Sequence, residues 1–253
     1  MIIREIYDYI NSLAPYNTQL GFDNSGLNIG GMNDTVHKIG VCLDLTEQAV
    51  GFAVDNGIDL IISHHPVIWG GLKNIGSDDI VYMLIRHGIA ALSAHTNLDT
   101  ASGGVCETLC DKLGFHSLEN AYLDEFPDTP IARMGVIGND MTADDFAAFL
   151  KETLSAPDVR YHSCGKAVHK IGVFNGAGAD LIPFAAAHGA DSVVTGDVKH
   201  HEWLDAARLG INLFDAGHFC TENMIVSKLC GLINDKFGDI AQIIPQTSPY
   251  KSI

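Results

Sequence analysis

The stretch HKIGVCLDLTEQAVGFAVDNGIDLIISHHP (37–66) decides the fold, because the chain contains it a second time. It aligns without a gap to HKIGVFNGAGADLIPFAAAHGADSVVTGDV (169–198), with the HKIGV positions, Gly57 and Gly189, and Asp59 and Asp191 identical. Each copy reads as a Val/Ile-rich strand, a helix and a second strand, so the pair is a duplicated βαβ unit. The next strands extend the match. IAALSAHTNLD (89–99) and INLFDAGHFCTE (211–222) align if one residue is inserted, setting His95 and Asp99 opposite His218 and Glu222. The predicted fold class is therefore α/β: two pseudo-symmetric lobes built from the duplicated unit, with mostly parallel mixed sheets. Open α/β sheets place their sites beyond the strand carboxyl ends, so corresponding ends of the two halves predict one cleft with a metal site between the lobes.

Outward from the repeat, an amphipathic helix is expected over 2–13 and strands over 38–44, 58–63, 89–94, 133–138, 158–163, 169–175, 191–195, 211–215 and 240–245. Helix signals lie between them: Thr46 before Glu47 with Gly57 after the turn, Ser77 before Asp78 with Gly88 after, and Thr142 before Asp144 and Asp145. Residues 114–132, with Pro127 and Pro130, read as the crossover. The first lobe is expected over 1–132 and the second over 133–253, starting at Arg133.

Composition excludes several classes. At 253 residues and 47% hydrophobic, with 26 glycines, the chain can bury a sizeable core. The opening MIIREIYDYINSLA carries charge within its apolar pattern, and no run reaches about 18 apolar residues, so the reading is a cytoplasmic protein without signal or membrane span. The six cysteines (42, 106, 110, 164, 220, 230) form no C-x-x-C pair and read as reduced thiols, Cys106 and Cys110 as small core residues. A formal charge of −16 opposes nucleic-acid binding and requires a local cationic centre for any anionic ligand.

His64 and His65 supply the first chemistry. Two adjacent imidazoles beyond an apolar strand need partners, and alternation along extended backbone sends their rings to different ions or to an ion and a neighbouring group. With Asp99, His218 and Glu222 they make three imidazoles and two carboxylates. That mixture suits two divalent transition-metal ions (Zn, Fe, Mn or Ni) and lacks the thiolates of a structural zinc site. Two ions about 3.5–4 Å apart can activate water against a phosphoryl, carbonyl or ring carbon, and the pair with its carboxylates keeps a small positive charge. Each residue has a plainer alternative: Asp99 can cap the helix carrying Val105 and Leu109, and Glu222 can favour a helix N-terminus. His95 and His200 are the candidates for proton handling. His201 shares the helix of His200 but points elsewhere, and surface placement is the alternative for both. Asp197 either orients a histidine or caps that helix. NGAGAD (175–180) is a glycine turn able to cradle an anion, and Phe22, Trp69 and Phe219 offer a stacking wall, with packing the alternative.

FDNSGLNIG (22–30), DLIISHHPVI (59–68), SAHTNLD (93–99), GGV (103–105), TGDVKHHEWLDA (195–206) and DAGHFCTE (215–222) closely resemble the signatures of the GTP cyclohydrolase 1 type 2 homologues, also called the NIF-three-like family. The resemblance covers nearly the whole chain. It implies a two-lobed α/β protein with a dinuclear metal site held by His64, His65, Asp99, His218 and Glu222, the set also reached from spacing. It implies a ring-shaped homohexamer as well. The chain departs from the family pattern at Phe22, where tryptophan is common, and at Asn28, where an apolar residue is usual.

The leading functional expectation is a dinuclear-metal hydrolase acting on a small anionic, nucleotide-like substrate, with ring-opening of GTP as the version implied by the family name. A non-enzymatic metal-binding or scaffold protein, such as a metallochaperone or interaction ring, is the alternative. Nucleic acid and membrane are not expected partners.

Overall fold

The computed structural model of the chain describes residues 1–122 and 129–252. Two compact units emerge. The first comprises residues 1–102 and 225–247, the second 103–224 and the tail from Ser248.

In the first unit, α1 (Ile3–Leu13) buries Ile3, Ile6 and Ile10 at helical spacing. Its sheet runs β1 (Gly26–Ile29), β4 (Ala90–Ser93), β3 (Leu60–Ser63), β2 (Ile39–Cys42), β11 (Ala241–Ile243) in spatial order. β2, β3 and β4 are parallel neighbours, β11 adds in parallel to β2, and β1 runs antiparallel on β4. Every residue of β2, β3 and β4 is buried, as continuous apolar runs covered on both faces should be. α2 (Glu47–Asn56) starts where the Thr46 side chain accepts the Ala49 N–H and ends at Gly57, whose φ of 63° is the left-handed cap that glycine adopts without strain. α3 (Ile80–His87) and the one-turn α4 (Thr96–Thr100) follow β3 and β4, while α10 (Met224–Phe237) leads into β11.

In the second unit the order is β5 (His116–Ala121), β6 (Ala132–Met141), β8 (Val168–Val173), β9 (Ser192–Thr195), β10 (Asn212–Asp215), β7 (Arg160–His162). α5 (Val105–Lys112), α6 (Ala143–Thr153), α7 (Ile182–Ala187), α8 (His200–Leu209) and α9 (His218–Glu222) complete it. Adjacent strand residues serve opposite faces. Val194 and Phe214 join one core cluster with Phe146 and Leu150, whereas Val193 and Leu213 join another with Ile182 and Ala206.

The repeat is visible in hydrogen bonds. Asp59 accepts the backbone N–H groups of His37 and Lys38, and Asp191 accepts those of His169 and Lys170. Registers repeat too: Ile39 faces Leu60, which faces Ala90, just as Ile171 faces Ser192, which faces Asn212. A carboxylate that ties down the start of the preceding strand explains why this aspartate appears in both copies.

The two-sheet α/β architecture agrees with expectation, and all nine expected strands are present. The differences are local. β1 and β5 were not anticipated: β1 is four residues with a polar Asn28, and β5 is an almost wholly exposed edge strand with no apolar alternation. The second sheet has three antiparallel pairings and two parallel ones, so "mostly parallel" describes the first sheet only. The α3 cap is Asp79, which accepts the Val81 N–H, not Ser77. The division falls at 102/103 instead of 132/133, because α5 packs into the second unit's core and β5 pairs with β6, and residues 225–247 return to the first unit because β11 adds to β2. The expected crossover (114–132) contains β5, and its Pro127 lies outside the described residues. All six cysteines are free, with Cys106 and Cys110 buried in the core. Among the described residues no helix is long and apolar enough to cross a membrane.

Phe146 is fully buried and edge-on to Phe214, ring centroids 4.8 Å apart. Phe146→Ala is expected to cost about 3–5 kcal/mol of stability, read from the urea midpoint of the full chain.

Candidate metal centre

The first unit gathers three imidazoles. β3 carries its parallel pairing past Ser63: the His64 and His65 N–H groups donate to the carbonyls of Cys42 and Leu43, which fixes the backbone of both histidines. The third is His95, just before α4. The rings lie 4.9 Å (His64–His65), 5.1 Å (His64–His95) and 5.4 Å (His65–His95) apart, and one ring nitrogen of each lies within 4.8 Å of the others.

Each ring has an oxygen at Nδ1. His64 Nδ1 is 2.8 Å from the Ala94 carbonyl, His65 Nδ1 2.7 Å from Asp44 Oδ1, and His95 Nδ1 2.9 Å from Asp23 Oδ1. Carbonyl and carboxylate oxygens only accept, so Nδ1 carries the hydrogen, and the Nε2 lone pair is each neutral ring's remaining donor to a metal. Asp99, on α4, places Oδ1 3.4 Å from His64 Nε2.

The oxygens are held in turn. Gln246, after β11, accepts the N–H groups of Leu43 and Asp44 and donates to the Asp44 carbonyl. The Asp23 side chain is fully buried and accepts from Asn24 N–H, Ser25 Oγ, Thr96 N–H and Thr96 Oγ1 besides His95. Burial alone would raise its pKa, but the hydrogen bonds from His95, Thr96 and Ser25 outweigh it and hold the carboxyl well below the usual range. Asn28 accepts the Val67 N–H and donates to Asn24, tying β1 to the loop after His65; the polar residue there has a structural use.

In the second unit, His218 and Glu222 begin and end α9, one turn apart, with His218 Nε2 3.0 Å from Glu222 Oε2. Asp197 accepts at His218 Nδ1, 2.7 Å away, repeating the arrangement of Asp23 and His95. Of the two readings for Asp197, orientation is the one observed; α8 begins after Lys199. The extra residue of the second repeat, Gly217, precedes α9 at φ 83°.

Other expectations change. NGAGAD does not cradle an anion: the Gly176 and Gly178 N–H groups donate to Thr221 Oγ1 and Thr195 Oγ1, and Asn175 Nδ2 donates to Glu222 Oε1. The turn instead positions a carboxylate. His200 and His201 are exposed on the first turn of α8, outside the metal-capable groups found among the described residues. Phe219 packs against the second unit's core, whereas Phe22 and Trp69 are exposed in the first. Asp23, Asp44, Asn175 and Gln246 were not singled out from sequence, although Asp23 and Asn175 lay in quoted motifs and Asp44 in the repeat.

A cavity of about 390 Å³ adjoins His65, lined by Asp44, Trp69, Asp78 and Asp79 among others.

Residues 1–249 match the family described as Duf34/NIF3 (NGG1p interacting factor 3). A Clostridium perfringens relative named GTP cyclohydrolase 1 type 2 homolog is 31% identical over 252 residues, spanning 96% of this chain and 95% of its own length. A Helicobacter pylori relative named GTP cyclohydrolase 1 type 2 is 30% identical over 243 residues, spanning 92% and 93%. The crystal structure of a Staphylococcus aureus protein superposes with a TM-score of 0.90 at 28% identity, covering 100% of this chain and 99% of that one.

Two predictions follow from this geometry. Gly176 has φ 61°, and a Cβ there would collide with Glu222 Oε1. Gly176→Ala should destabilise the protein by about 1–3 kcal/mol, and by less in a Glu222→Ala background, the difference in a double-mutant cycle reporting the collision. The lowered Asp23 pKa gives stability that is full above the unfolded value of about 3.9 and drains as pH falls toward the folded one. Urea unfolding of chelator-treated protein between pH 3 and 7 should show that acid limb, and Asp23→Asn should flatten it while lowering neutral-pH stability by about 1–3 kcal/mol.

Proposed function

The chain belongs to the Duf34/NIF3 family, and from that premise we propose that it is a hydrolase using two divalent transition-metal ions on a small anionic, nucleotide-like substrate. Ring-opening of GTP is the specific version, supported by the names of the relatives. The ligands proposed are His64, His65 and Asp99 from the first unit and His218 and Glu222 from the second. One observation carries the reading: His64, His65 and His218 each turn Nδ1 onto an oxygen, the arrangement by which proteins fix a metal-binding imidazole's tautomer and ring direction. The donor set fits zinc, iron, manganese or nickel and offers no thiolate.

When bound, the ions would supply Lewis acidity that polarises the bond under attack and acidifies water. The protein's own residues do the rest. Asp44 and Asp197 hold the rings of His65 and His218, and Asn175 holds Glu222. The cavity beside His65 carries three carboxylates, so it repels phosphate. It suits a planar, N–H-bearing ring lying on Trp69, with the anionic end of the substrate directed to the metals. Exposed His200 is the residue proposed to exchange protons with bulk water.

The test is metal content by mass spectrometry on untagged protein, followed by a screen of nucleotides and phosphoesters. About two transition-metal ions per chain and turnover are expected, with Glu222→Gln lowering both the metal content and, by at least about a hundredfold, the rate. Full activity of Glu222→Gln would overturn the assignment, and exchangeable metal without turnover would favour a metal-binding role instead.

A further inference from the structure

His95 has a different use from the proton transfer its sequence context suggests. We propose that His95 is itself a metal ligand, completing with His64 and His65 a three-imidazole site contained in the first unit. This rests on the reading of the chain as a metalloprotein, and it adds a residue to the five-ligand set.

Three independent observations carry it. The first is proximity: the three rings bring one nitrogen each within 4.8 Å of the others, with centroids 4.9–5.4 Å apart. Two imidazoles bound to one tetrahedral ion, each by a bond of about 2.0–2.1 Å, have ring centres at about this separation. The second is the uniform tautomer. His95 gives its Nδ1 hydrogen to Asp23, as His65 gives its own to Asp44 and His64 to the Ala94 carbonyl, so His95 is prepared in the same way as its neighbours. Three imidazoles with like donor atoms gathered together form a set that a cation stabilises, and three histidines are a ligand set of catalytic zinc sites.

The third is the duplication. His95 occupies the position of His218: each stands at the start of a one-turn helix, each precedes a carboxylate by four residues, and each has an aspartate on Nδ1. If His218 binds metal through this construction, the same construction in the first unit makes His95 a ligand. A proton carrier, by contrast, must reach both substrate and solvent. The His95 side chain is only 12% exposed and meets the edge of Trp69 at 5.0 Å, perpendicular to it.

The experiment uses the full chain loaded with cadmium-113 and labelled with nitrogen-15 at histidine. Four histidine ring nitrogens split by cadmium are expected, and the fourth should vanish in His95→Gln. In parallel, cobalt titration followed by absorption should show His218→Ala/Glu222→Gln protein retaining one ion, bound at least about a hundredfold more weakly once His95→Gln is added. Three split nitrogens in the wild type, or a cobalt spectrum and affinity unchanged by His95→Gln, would overturn this inference and leave the proposed function standing. No split nitrogens and no cobalt uptake would overturn both. Should His95→Gln fail to fold by circular dichroism, the wild-type count of split nitrogens decides alone.

Discussion

The hydrogen bond from an imidazole Nδ1–H to a fixed oxygen governs this molecule's chemistry. A neutral imidazole has one hydrogen and one lone pair; once the hydrogen is committed, the direction and character of the other nitrogen are set. Among the candidate site residues this bond is made at His64, His65, His95 and His218, with a backbone carbonyl once and aspartates three times. Around those bonds sits a shell that holds the oxygens still: Gln246 on the Asp44 loop, and Ser25 and Thr96 on Asp23. Rings built this way are positioned before any ligand arrives, so little ordering is left to do on binding.

Charge gives the arrangement its setting. A formal −16 spread over 253 residues makes the protein as a whole unwelcoming to anions. The carboxylates of Asp44, Asp78 and Asp79 beside His65 continue that bias up to the candidate site. Under the proposed function, positive charge at the site would have to be imported, which would couple the choice of an anionic substrate to occupancy of the proposed metal ligands. The same carboxylates would then favour N–H groups over phosphate oxygens within that substrate.

Most of the fold was legible because duplication shows twice what a single sequence shows once. Two copies of HKIGV with an aspartate at matched positions located four strands, and the next pair of strands followed from the register. What escaped notice had no apolar periodicity to announce it. β5 is an exposed polar edge, β1 is too short to establish alternation, and the return of residues 225–247 is a long-range pairing without local signature. At the site, His64, His65 and Asp99 in the first unit and His218 and Glu222 in the second were readable from spacing and from the resemblance. Their supports were not: Asp44 and Asn175 sit in ordinary turns, and Gln246 is distant in sequence from the loop it holds. Hydrogen-bond partners chosen by three-dimensional proximity leave no period in the chain.

The return of the chain to its first unit orders events during synthesis. Residues 103–224 are contiguous, so the core around Phe146 can close as soon as that segment has left the ribosome. The first unit cannot, since β2 keeps an open edge until β11 arrives. Gln246 follows β11 in the chain, and it fixes the Asp44 loop that aims His65. The histidine geometry of the first unit is thus set only after the second unit's contiguous segment has been made. A nascent chain carries its histidine pair unaimed until Gln246 has emerged.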